Sequence, residues 1–316
     1  MYAYSMKSQK KILILCGGKF AFKTLQLLAF ENYLCGIGIG KSSKIVVESL
    51  ERESENNSLD FKYFPDKKSV SEMKTWIENL NPDFIFSISF PFLIPEEVLS
   101  FGKERFINFH PGPLPQYRGS MPIFEVLKNQ EKTTAISVHF MDSKYDEGPV
   151  IFKENLKIDQ NDTYGQLAVK LSNRTAQVAL NMANMVEYAK KIPSSIQESE
   201  NAYYYEKPDF LDTSIKWKNM TAGEIVALIN SCNPWNYGAD TSFEGEHIKI
   251  IIATIFDQSH ENSKPGTILA INEDGTFNVA CSDDKQISIE VLKTDIGIIT
   301  AKQLNFQMNI IGKIFK

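Results

Sequence analysis

Residues Lys11–Gly18 read KILILCGG, a run of isoleucine and leucine side chains that ends in two glycines. Such a run is typical of a strand that is buried on both faces and runs into a turn. The segment that follows, Phe22–Tyr33, carries apolar residues at helical spacing and predicts a helix. A buried strand that leads directly into a helix indicates a parallel sheet covered by helices.

The alternation of strand and helix continues through the first half of the chain. Apolar runs predict strands, and segments with helical periodicity predict helices; Ser69 and Asp162 precede two of these helices as N-caps. The predicted strands are Tyr33–Gly40, Asp83–Phe92, Arg105–His110 and Thr134–Met141, and the predicted helices are Ile45–Glu55, Val70–Leu80 and Asp162–Lys190. This part is therefore expected to be an α/β domain with a doubly wound, mostly parallel sheet. Ligands of such sheets bind beyond the carboxyl ends of the strands.

The second half of the chain has a different pattern. Residues 194–213 are polar, rich in Tyr and Glu, and without periodicity, so they are expected to be a linker. A helix over Thr221–Cys232, with Thr221 as its N-cap, is followed by four short predicted strands: Lys249–Thr254, Gly266–Ile271, Thr276–Ala280 and Ile287–Leu292. Short strands separated by turns predict a second, smaller, OB-like β-barrel domain. The expected division is a first domain over residues 1–198, a linker over 199–212 and a second domain over 213–316.

The composition limits the classes of protein to which the chain can belong. With 316 residues and 43% hydrophobic residues, the chain can bury two cores, and its net charge of −5 gives no general attraction for nucleic acid. No apolar run approaches the roughly 20 residues of a membrane span, and Met1–Lys11 lacks the features of a signal peptide. The four scattered cysteines predict buried free thiols. A cytoplasmic protein is expected, with no membrane partner.

The end of one predicted strand carries the first candidate chemistry. Asn108 and His110 are two residues apart, so their side chains face the same side. The loop after them, Pro111–Pro115, has three prolines and a glycine and is therefore stiff. An amide NH₂ can donate to a developing oxyanion, and a histidine can donate or shuttle a proton. The alternative is a capped strand end with a structural histidine.

A carboxylate after the strand Thr134–Met141 is the natural partner of that pair. Asp146 lies on the turn Asp146–Gly148, from which it could orient His110 and stabilise its imidazolium, although an Asp before a Gly also forms ordinary turns. Glu147 is expected to be a solvated neighbour. His139, within the strand, is expected to be a pocket or core histidine and not the general base.

The two segments INFHPGPLPQYRG, at Ile107–Gly119, and SVHFMDSKYDEGPVI, at Ser137–Ile151, resemble the formyltransferase superfamily that includes glycinamide ribonucleotide and methionyl-tRNA formyltransferases. The resemblance implies a catalytic Asn, His and Asp at Asn108, His110 and Asp146. It implies 10-formyl-tetrahydrofolate as co-substrate, no metal, and direct attack of a neutral primary amine on the formyl carbon. The oxyanion would be held by Asn108 and protonated His110.

The resemblance extends over nearly the whole chain. FPFLIP at Phe90–Pro95 is similar to the folate pocket of the family, and Asn233–Trp235 and Lys264–Ile268 are similar to its C-terminal barrel. It implies a set of folate-binding residues and a set of acceptor-binding residues. The folate set is Phe90, Phe92, Leu93, Ile94, His139 and Met141, and the acceptor set is Arg118, Gly119 and Lys19.

The identity of the acceptor stays open between branches of the superfamily. The methionyl-tRNA branch usually has a basic loop after the second strand, whereas this chain has Gly36–Lys44 (GIGIGKSSK) with only Lys41 and Lys44. Because phosphate contacts dominate affinity for nucleic acid, a small amine such as a nucleotide-linked amino sugar is expected and tRNA is the alternative. A catalytically inactive folate-binding relative is a third hypothesis. The oligomeric state and the pathway do not follow from the sequence.

Overall fold

The computed structural model describes residues 10–189, 191–198, 200–307 and 310–316. The absence of a signal peptide was predicted from residues that include 1–9, and the predicted end of the long helix is Lys190; both lie outside the described residues. The chain divides into two compact units. The N-terminal unit comprises the chain up to Gly119, Thr134–Leu156 and Ala168–Tyr204, and the C-terminal unit comprises Ser120–Thr133, Lys157–Leu167 and Tyr205–Lys316.

Strands and helices alternate at first and then give way to a series of strands. In chain order the strands are β1 (Ile12–Cys16), β2 (Leu34–Gly40), β3 (Asp60–Phe64), β4 (Phe84–Ile88), β5 (Phe106–His110), β6 (Arg118–Gly119), β7 (Thr133–Phe140), β8 (Val150–Lys157), β9 (Tyr204–Tyr205), β10 (Ala239–Phe243), β11 (Glu246–Ser259), β12 (Ile268–Ile271), β13 (Phe277–Ala280), β14 (Lys285–Thr294) and β15 (Gly297–Thr300). The helices are α1 (Phe22–Phe30), α2 (Lys44–Asn56), α3 (Met73–Leu80), α4 (Glu96–Leu99), α5 (Pro122–Lys128), α6 (Tyr164–Tyr188), α7 (Phe210–Thr213), α8 (Ala222–Cys232) and α9 (Ala301–Gln307).

The N-terminal unit is built on a seven-stranded sheet with the order β3-β2-β1-β4-β5-β7-β8. Strands β3, β2, β1, β4 and β5 are parallel, and β7 pairs antiparallel with β5. All five residues of β1 are fully buried, as the run of isoleucine and leucine predicted. The strand order reverses direction beside β1, which makes the carboxyl ends of β1 and β4 a switch point where such sheets bind ligands. The predicted α/β class is confirmed.

Local differences from the sequence-based expectation have identifiable causes. The predicted strand Asp83–Phe92 ends early, at Ile88, because Ser89 takes a left-handed conformation with φ 55° and Pro91 has no N–H to donate. Ser69 does not cap α3. It begins a 3₁₀ turn, Ser69–Glu72, that precedes the helix, and its hydroxyl donates to Asp66 O.

One end of each of two other helices also differs from its predicted position. Helix α1 ends at Phe30, not at Tyr33, because Asn32 is left-handed with φ 60°. Asp162 does not cap α6; its carboxylate accepts from Asp159 N. Thr163 fills that role, since its hydroxyl accepts from Gln166 N.

Strand β8 was missed by the sequence analysis. It is an edge strand of the sheet, and its exposed and half-buried residues alternate from Lys153 to Lys157. That alternation is the signal that could have found it, because a strand with one solvated face repeats every two residues.

The C-terminal unit contains an antiparallel sheet with the order β10-β11-β14-β13-β12, to which β15 adds beside β14. Phe243, at one edge, and Thr267, next to the other edge, form isolated bridges with Phe315 and Ile314. One short segment therefore pairs with both edges, which turns the sheet toward a closed barrel. Strands β10 and β15 were not predicted, whereas the four predicted strands correspond to β11, β12, β13 and β14.

The start of α8 was predicted correctly. Thr221 accepts a hydrogen bond from Glu224 N, and the Glu224 carboxylate accepts one from Thr221 N, a reciprocal capping box. The expected linker also contains regular structure, in β9 and α7. The domain boundaries given above stay a prediction.

No helix in the described parts of the chain is long and apolar enough to cross a membrane.

The core of the C-terminal unit includes an aromatic cluster around Phe315, which is 1% exposed. Its ring centroid lies 5.5 Å from that of Trp217, 4.8 Å from Phe243 and 6.0 Å from Phe277. Because three rings lose a partner at once, we expect Phe315→Ala to lower the free energy of unfolding by about 3–5 kcal/mol. Urea denaturation followed by tryptophan fluorescence measures this change. Ile311→Ala, at a 54% exposed side chain, is the control and should cost well under that amount; equal losses would contradict the proposed importance of the cluster.

Candidate active site

Two neighbouring strands present the candidate catalytic side chains on one face of the sheet. In the antiparallel pair of β5 and β7, Asn108 lies opposite His139 and His110 lies opposite Ser137. Since alternate residues of a strand share a face, all four side chains point to the same side. His110 and His139 are buried, at 4% and 1% exposed, and Asn108 is half-buried.

The carboxylate of Asp146 lies at the centre of this group. Its Oδ1 is 3.4 Å from His110 Nδ1, 3.4 Å from His139 Nε2 and 3.3 Å from Asn108 Nδ2. Its Oδ2 accepts a hydrogen bond from Gly119 N at 3.0 Å. The structure thus brings Asn108, His110 and Asp146 together and adds His139, which the sequence had assigned only to the folate pocket.

The loops that follow β5 and β7 are held close to the sheet. A Cβ on Gly148 would lie 1.9 Å from Phe140 O, so only glycine allows the loop after β7 to approach the strand this closely. Ser137, inside the sheet, donates to Gly112 O at 2.7 Å and accepts from Leu114 N at 3.1 Å. The proline-rich loop after β5 is therefore held by a buried hydroxyl as well as by its prolines.

The hydrogen bonds define the tautomers of the two histidines. His110 Nε2 lies 2.6 Å from Tyr117 O, and His139 Nδ1 lies 2.8 Å from Phe140 O. A carbonyl oxygen only accepts, so each of these ring nitrogens carries a hydrogen. In the neutral rings the other nitrogens are acceptors, and His139 Nε2 accepts from Asn108 Nδ2 at 3.0 Å. A proton added to His110 would therefore sit on Nδ1, facing Asp146.

The balance of burial and nearby charges lowers the pKa of both His110 and Asp146. Burial, together with nearby His139, lowers the pKa of His110, against the raising effects of Asp146 and Tyr117 O. Burial opposes the ionised form of Asp146, but His110, His139 and the Gly119 N–H outweigh it and hold the pKa of this carboxyl well below its usual range. Near neutral pH the arrangement is a fixed carboxylate beside a neutral imidazole that can take up a proton.

The residues predicted to bind folate divide into two groups. Phe90, Phe92 and Met141 are half-buried and pack against one hydrophobic cluster, with the rings of Phe90 and Phe92 edge to face at 5.7 Å. Leu93 is 38% exposed. Ile94 differs from the expectation, because its side chain is 1% exposed and belongs to the core, so we assign it a packing role.

The residues predicted to bind the acceptor are not equivalent either. Lys19 is exposed in a 3₁₀ turn that follows Gly17–Gly18. Gly119 uses its N–H for Asp146. Arg118 directs its guanidinium at Gln197 Oε1, with Nε at 3.1 Å and NH2 at 2.9 Å, and its NH1 is 3.8 Å from Glu147. Arg118 therefore has internal partners, which the sequence did not indicate.

The cysteine side chains do not supply a further catalytic group. Burial raises the pKa of Cys16, Cys232 and Cys281 to about 12 and that of Cys35 to about 11, so these thiols stay protonated and are not nucleophiles. Among the residues that the structure describes, no group of three or more His, Cys, Asp or Glu side chains is arranged to hold a metal ion.

A cavity of about 380 Å³ lies within the C-terminal unit. Charged side chains of both signs, including Glu131, Lys132 and Asp159, line it, and none of the predicted site residues does. It offers no histidine or cysteine, so we place the chemistry at the ends of β5 and β7.

Models of known protein families match both halves of the chain. The model described as formyl transferase matches residues 18–182, and the model described as formyl transferase, C-terminal domain, matches residues 211–305. The chain belongs to the formyl transferase family. The enzyme class predicted from INFHPGPLPQYRG and SVHFMDSKYDEGPVI is thereby confirmed: the protein is a formyl-transferring enzyme.

Individual relatives of this formyl transferase come from two branches. It is 28% identical over 290 residues to a methionyl-tRNA formyltransferase of Acetivibrio thermocellus, covering 89% of this chain and 91% of that protein. Two solved structures share its fold at 18% identity. One is WlaRD, a sugar 3N-formyltransferase solved with dTDP and 5-N-formyl-THF, with a TM-score of 0.68 over 90% of this chain and 98% of that chain. The other is an N-formyltransferase from Helicobacter canadensis, solved with folinic acid and dTDP-3-aminofucose, with a TM-score of 0.66 over 89% and 99%.

The charge of Asp146 should control the titration of His110. Asp146 raises the pKa of His110, while burial and His139 lower it. In Asp146→Asn the raising effect of the carboxylate is lost while burial and His139 still lower the value, so we expect the pKa of His110 to fall further. The chain has four histidines, which makes an NMR titration of the labelled rings practicable. An unchanged titration curve for His110 would contradict the electrostatic pairing with Asp146.

Proposed function

We propose that this formyl transferase moves a formyl group from 10-formyl-tetrahydrofolate to a primary amine, with Asn108, His110 and Asp146 as its catalytic residues. The observation that carries the proposal is the Asp146 carboxylate lying within 3.4 Å of both His110 Nδ1 and Asn108 Nδ2 in a chain of this family. A third group that orients a histidine is the arrangement that acyl-transfer sites use.

The reaction is a direct transfer. The lone pair of the neutral amine forms a bond to the formyl carbon, and the carbonyl oxygen becomes an oxyanion. When the bond from that carbon to N10 of the folate breaks, the carbonyl re-forms, the acceptor becomes a formamide, and the proton lost by the amine is delivered to N10. His110 and Asp146 are suited to carry this proton, because Nδ1 of the neutral imidazole is an acceptor that faces the carboxylate.

Stabilisation of the oxyanion requires donors to be redirected. Asn108 Nδ2 points at His139 and Asp146, and His110 Nε2 points at Tyr117 O. A substrate that occupies the site would take over one of these hydrogens from its internal acceptor, since catalytic hydrogen bonds often form only in the complex. Each donor that reaches the oxyanion is worth on the order of 10²–10³ in rate.

The folate is proposed to lie against the half-buried Phe90, Phe92 and Met141, with His139 and the exposed Leu93 at the border. These side chains offer a mainly apolar surface for a flat ring system. The ligands of the related solved structures, 5-N-formyl-THF and folinic acid, support the same class of donor.

For the acceptor we propose a small amine such as a nucleotide-linked amino sugar. The connection between β2 and α2 is only three residues, with Lys41 as its basic residue. Lys44 begins α2 and pairs with Glu48 at 3.6 Å, and the rest of α2 carries Glu51, Glu53 and Glu55 against a single arginine. This region repels phosphates more than it attracts them, so it does not suit a nucleic-acid backbone. The sugar-related ligands dTDP and dTDP-3-aminofucose of two fold relatives also support the proposal.

Methionyl-tRNA is the alternative acceptor. It is favoured by the curated relatives, since proteins named methionyl-tRNA formyltransferase match up to 89% of this chain at 28% identity. The third hypothesis, an inactive folate-binding relative, is disfavoured because Asn108, His110 and Asp146 are all present and meet at one point.

Removal of any of the three catalytic side chains should abolish most turnover. We expect Asn108→Ala, His110→Ala and Asp146→Ala each to lower kcat by about 10²-fold or more while binding of the folate donor stays nearly intact. Asp146→Asn should be similarly impaired, because the amide cannot stabilise the imidazolium. Single-turnover assays and folate-binding titrations measure the two effects; near-normal turnover by His110→Ala would refute its role. Glu147→Gln, at an exposed neighbour of Asp146, is the control.

The choice of acceptor can be tested with one folate donor and two classes of amine. We expect formylation of an amino-sugar nucleotide from a panel, and little binding of charged methionyl-tRNA. A tRNA held by six or more phosphate contacts would lose about 10³-fold in affinity between about 50 and 200 mM salt. Efficient formylation of the tRNA alone, with that steep salt dependence, would favour the alternative. Lack of activity toward every amine, with folate still bound, would favour the inactive relative.

A further inference from the structure

Gln197 lies in the segment after α6 that was expected to be a linker, yet its side chain is fully engaged. Its Nε2 donates to Asp146 O at 2.7 Å and to Gly148 O at 2.8 Å. Its Oε1 accepts from Arg118, from Nε at 3.1 Å and from NH2 at 2.9 Å. One amide therefore joins the loop that carries Asp146 to the strand that carries Arg118.

The orientation of this amide is fixed by its partners. Carbonyl oxygens can only accept and a guanidinium can only donate, so the nitrogen must face Asp146 and Gly148 and the oxygen must face Arg118. Both hydrogens and both lone pairs are used. Because every hydrogen and lone pair of the amide is used, the loop that carries Asp146 and the strand that carries Arg118 are restricted in their relative position.

The backbone that Gln197 holds has an uncommon conformation. Asp146 has φ 56°, in the left-handed region, which Asp adopts more readily than most residues but less readily than glycine. Gln197 binds the carbonyl of this residue, while Gly119 N, next to Arg118, binds its carboxylate. The main chain and the side chain of Asp146 are thus held from the same side by connected groups.

The segment itself is anchored two residues earlier. Ser195 forms an antiparallel bridge with Val150, with two N–H to O distances of 2.8 Å. Farther along, Tyr203 N donates to Pro115 O and Arg118 N donates to Tyr203 O. Gln197 therefore approaches the Asp146 loop from a segment that is attached on both sides of it.

From this geometry we infer that Gln197 is a positioning residue for catalysis, which acts through Asp146, and that Arg118 serves Gln197 and does not grip a phosphate of the acceptor. The inference rests on the proposed role of Asp146. Arg118 has Gln197 and Glu147 as partners, so its guanidinium is occupied within the protein.

Three variants test the inference. Gln197→Ala removes the amide. Gln197→Glu keeps an acceptor for Arg118 but places oxygen instead of N–H against the two carbonyl oxygens of Asp146 and Gly148. Ile196→Ala, at the neighbouring 88% exposed side chain, is the matched control.

For Gln197→Ala we expect kcat per folded enzyme to fall on the order of 10- to 100-fold, because a small displacement of a catalytic group has an effect of that size. The KM values for folate and for the amine should stay within about twofold, since Gln197 touches neither. Gln197→Glu should lose at least as much as Gln197→Ala, and Ile196→Ala should behave as the unaltered enzyme. If Gln197→Glu kept normal kcat, holding Arg118 would be the only role of Gln197 and the inference would be overturned.

A second measurement separates positioning from stability. Thermal unfolding gives the amount of folded protein for each variant, and the histidine NMR titration reports on the site independently of activity. The groups that face His110 are Asp146, His139 and Tyr117 O. If Asp146 moves away in Gln197→Ala, the titration of His110 shifts toward lower pH, as in Asp146→Asn. A lower melting temperature with an unshifted His110 would reduce Gln197 to a structural residue.

The outcomes also distinguish this inference from the proposed function. If His110→Ala and Asp146→Ala kept their activity, the proposed catalytic roles would be rejected. The titration of His110 in Gln197→Ala would then still test whether Gln197 positions Asp146. Inactive His110→Ala and Asp146→Ala together with normal Gln197→Ala would leave the proposed function intact and reject the positioning role.

Discussion

The site depends on one buried carboxylate shared by several partners. Asp146 lies 3.4 Å from a nitrogen of each of two buried histidines and accepts a hydrogen bond from a backbone N–H. Burying a negative charge is unfavourable unless it is paired and hydrogen-bonded, so the surroundings must supply both. The left-handed turn at Asp146, the close approach of Gly148 to β7 and the Gln197 amide all place the carboxylate where these partners are.

The same carboxylate explains why two histidines of one strand pair can have different properties. His110 directs its unprotonated Nδ1 toward the carboxylate and donates its Nε2–H to Tyr117 O. His139 instead donates its Nδ1–H to Phe140 O and accepts from Asn108 at Nε2. His110 is thereby ready to receive a proton beside a negative charge. His139 instead holds the amide of Asn108 in a defined orientation.

Much of this arrangement could be predicted from local patterns. The run Ile12–Cys16 and the alternation that follows it specify the parallel sheet, and the two-residue period specifies that Asn108 and His110 share a face. Contacts between distant segments could not be predicted, because nothing in the sequence near residue 197 indicates that its side chain reaches Asp146. The early end of β4 at Ile88 was missed for a related reason: the left-handed Ser89 has no strong sequence signal, since serine is not a residue that favours that conformation.

The bridge between Ser195 and Val150 also affects how strand β8 can pair with other molecules. Strand β8 is an outer strand, and an outer strand offers unpaired N–H and C=O groups to any extended chain that comes near, which is a route to aggregation. At the start of the strand, the backbone N–H and C=O of Val150 are both hydrogen-bonded to the backbone of Ser195. Farther along, Lys153, Glu154 and Lys157 place charges that an incoming strand would have to desolvate. The segment that carries Gln197 therefore also occupies the start of this outer strand, where an extended chain can no longer pair.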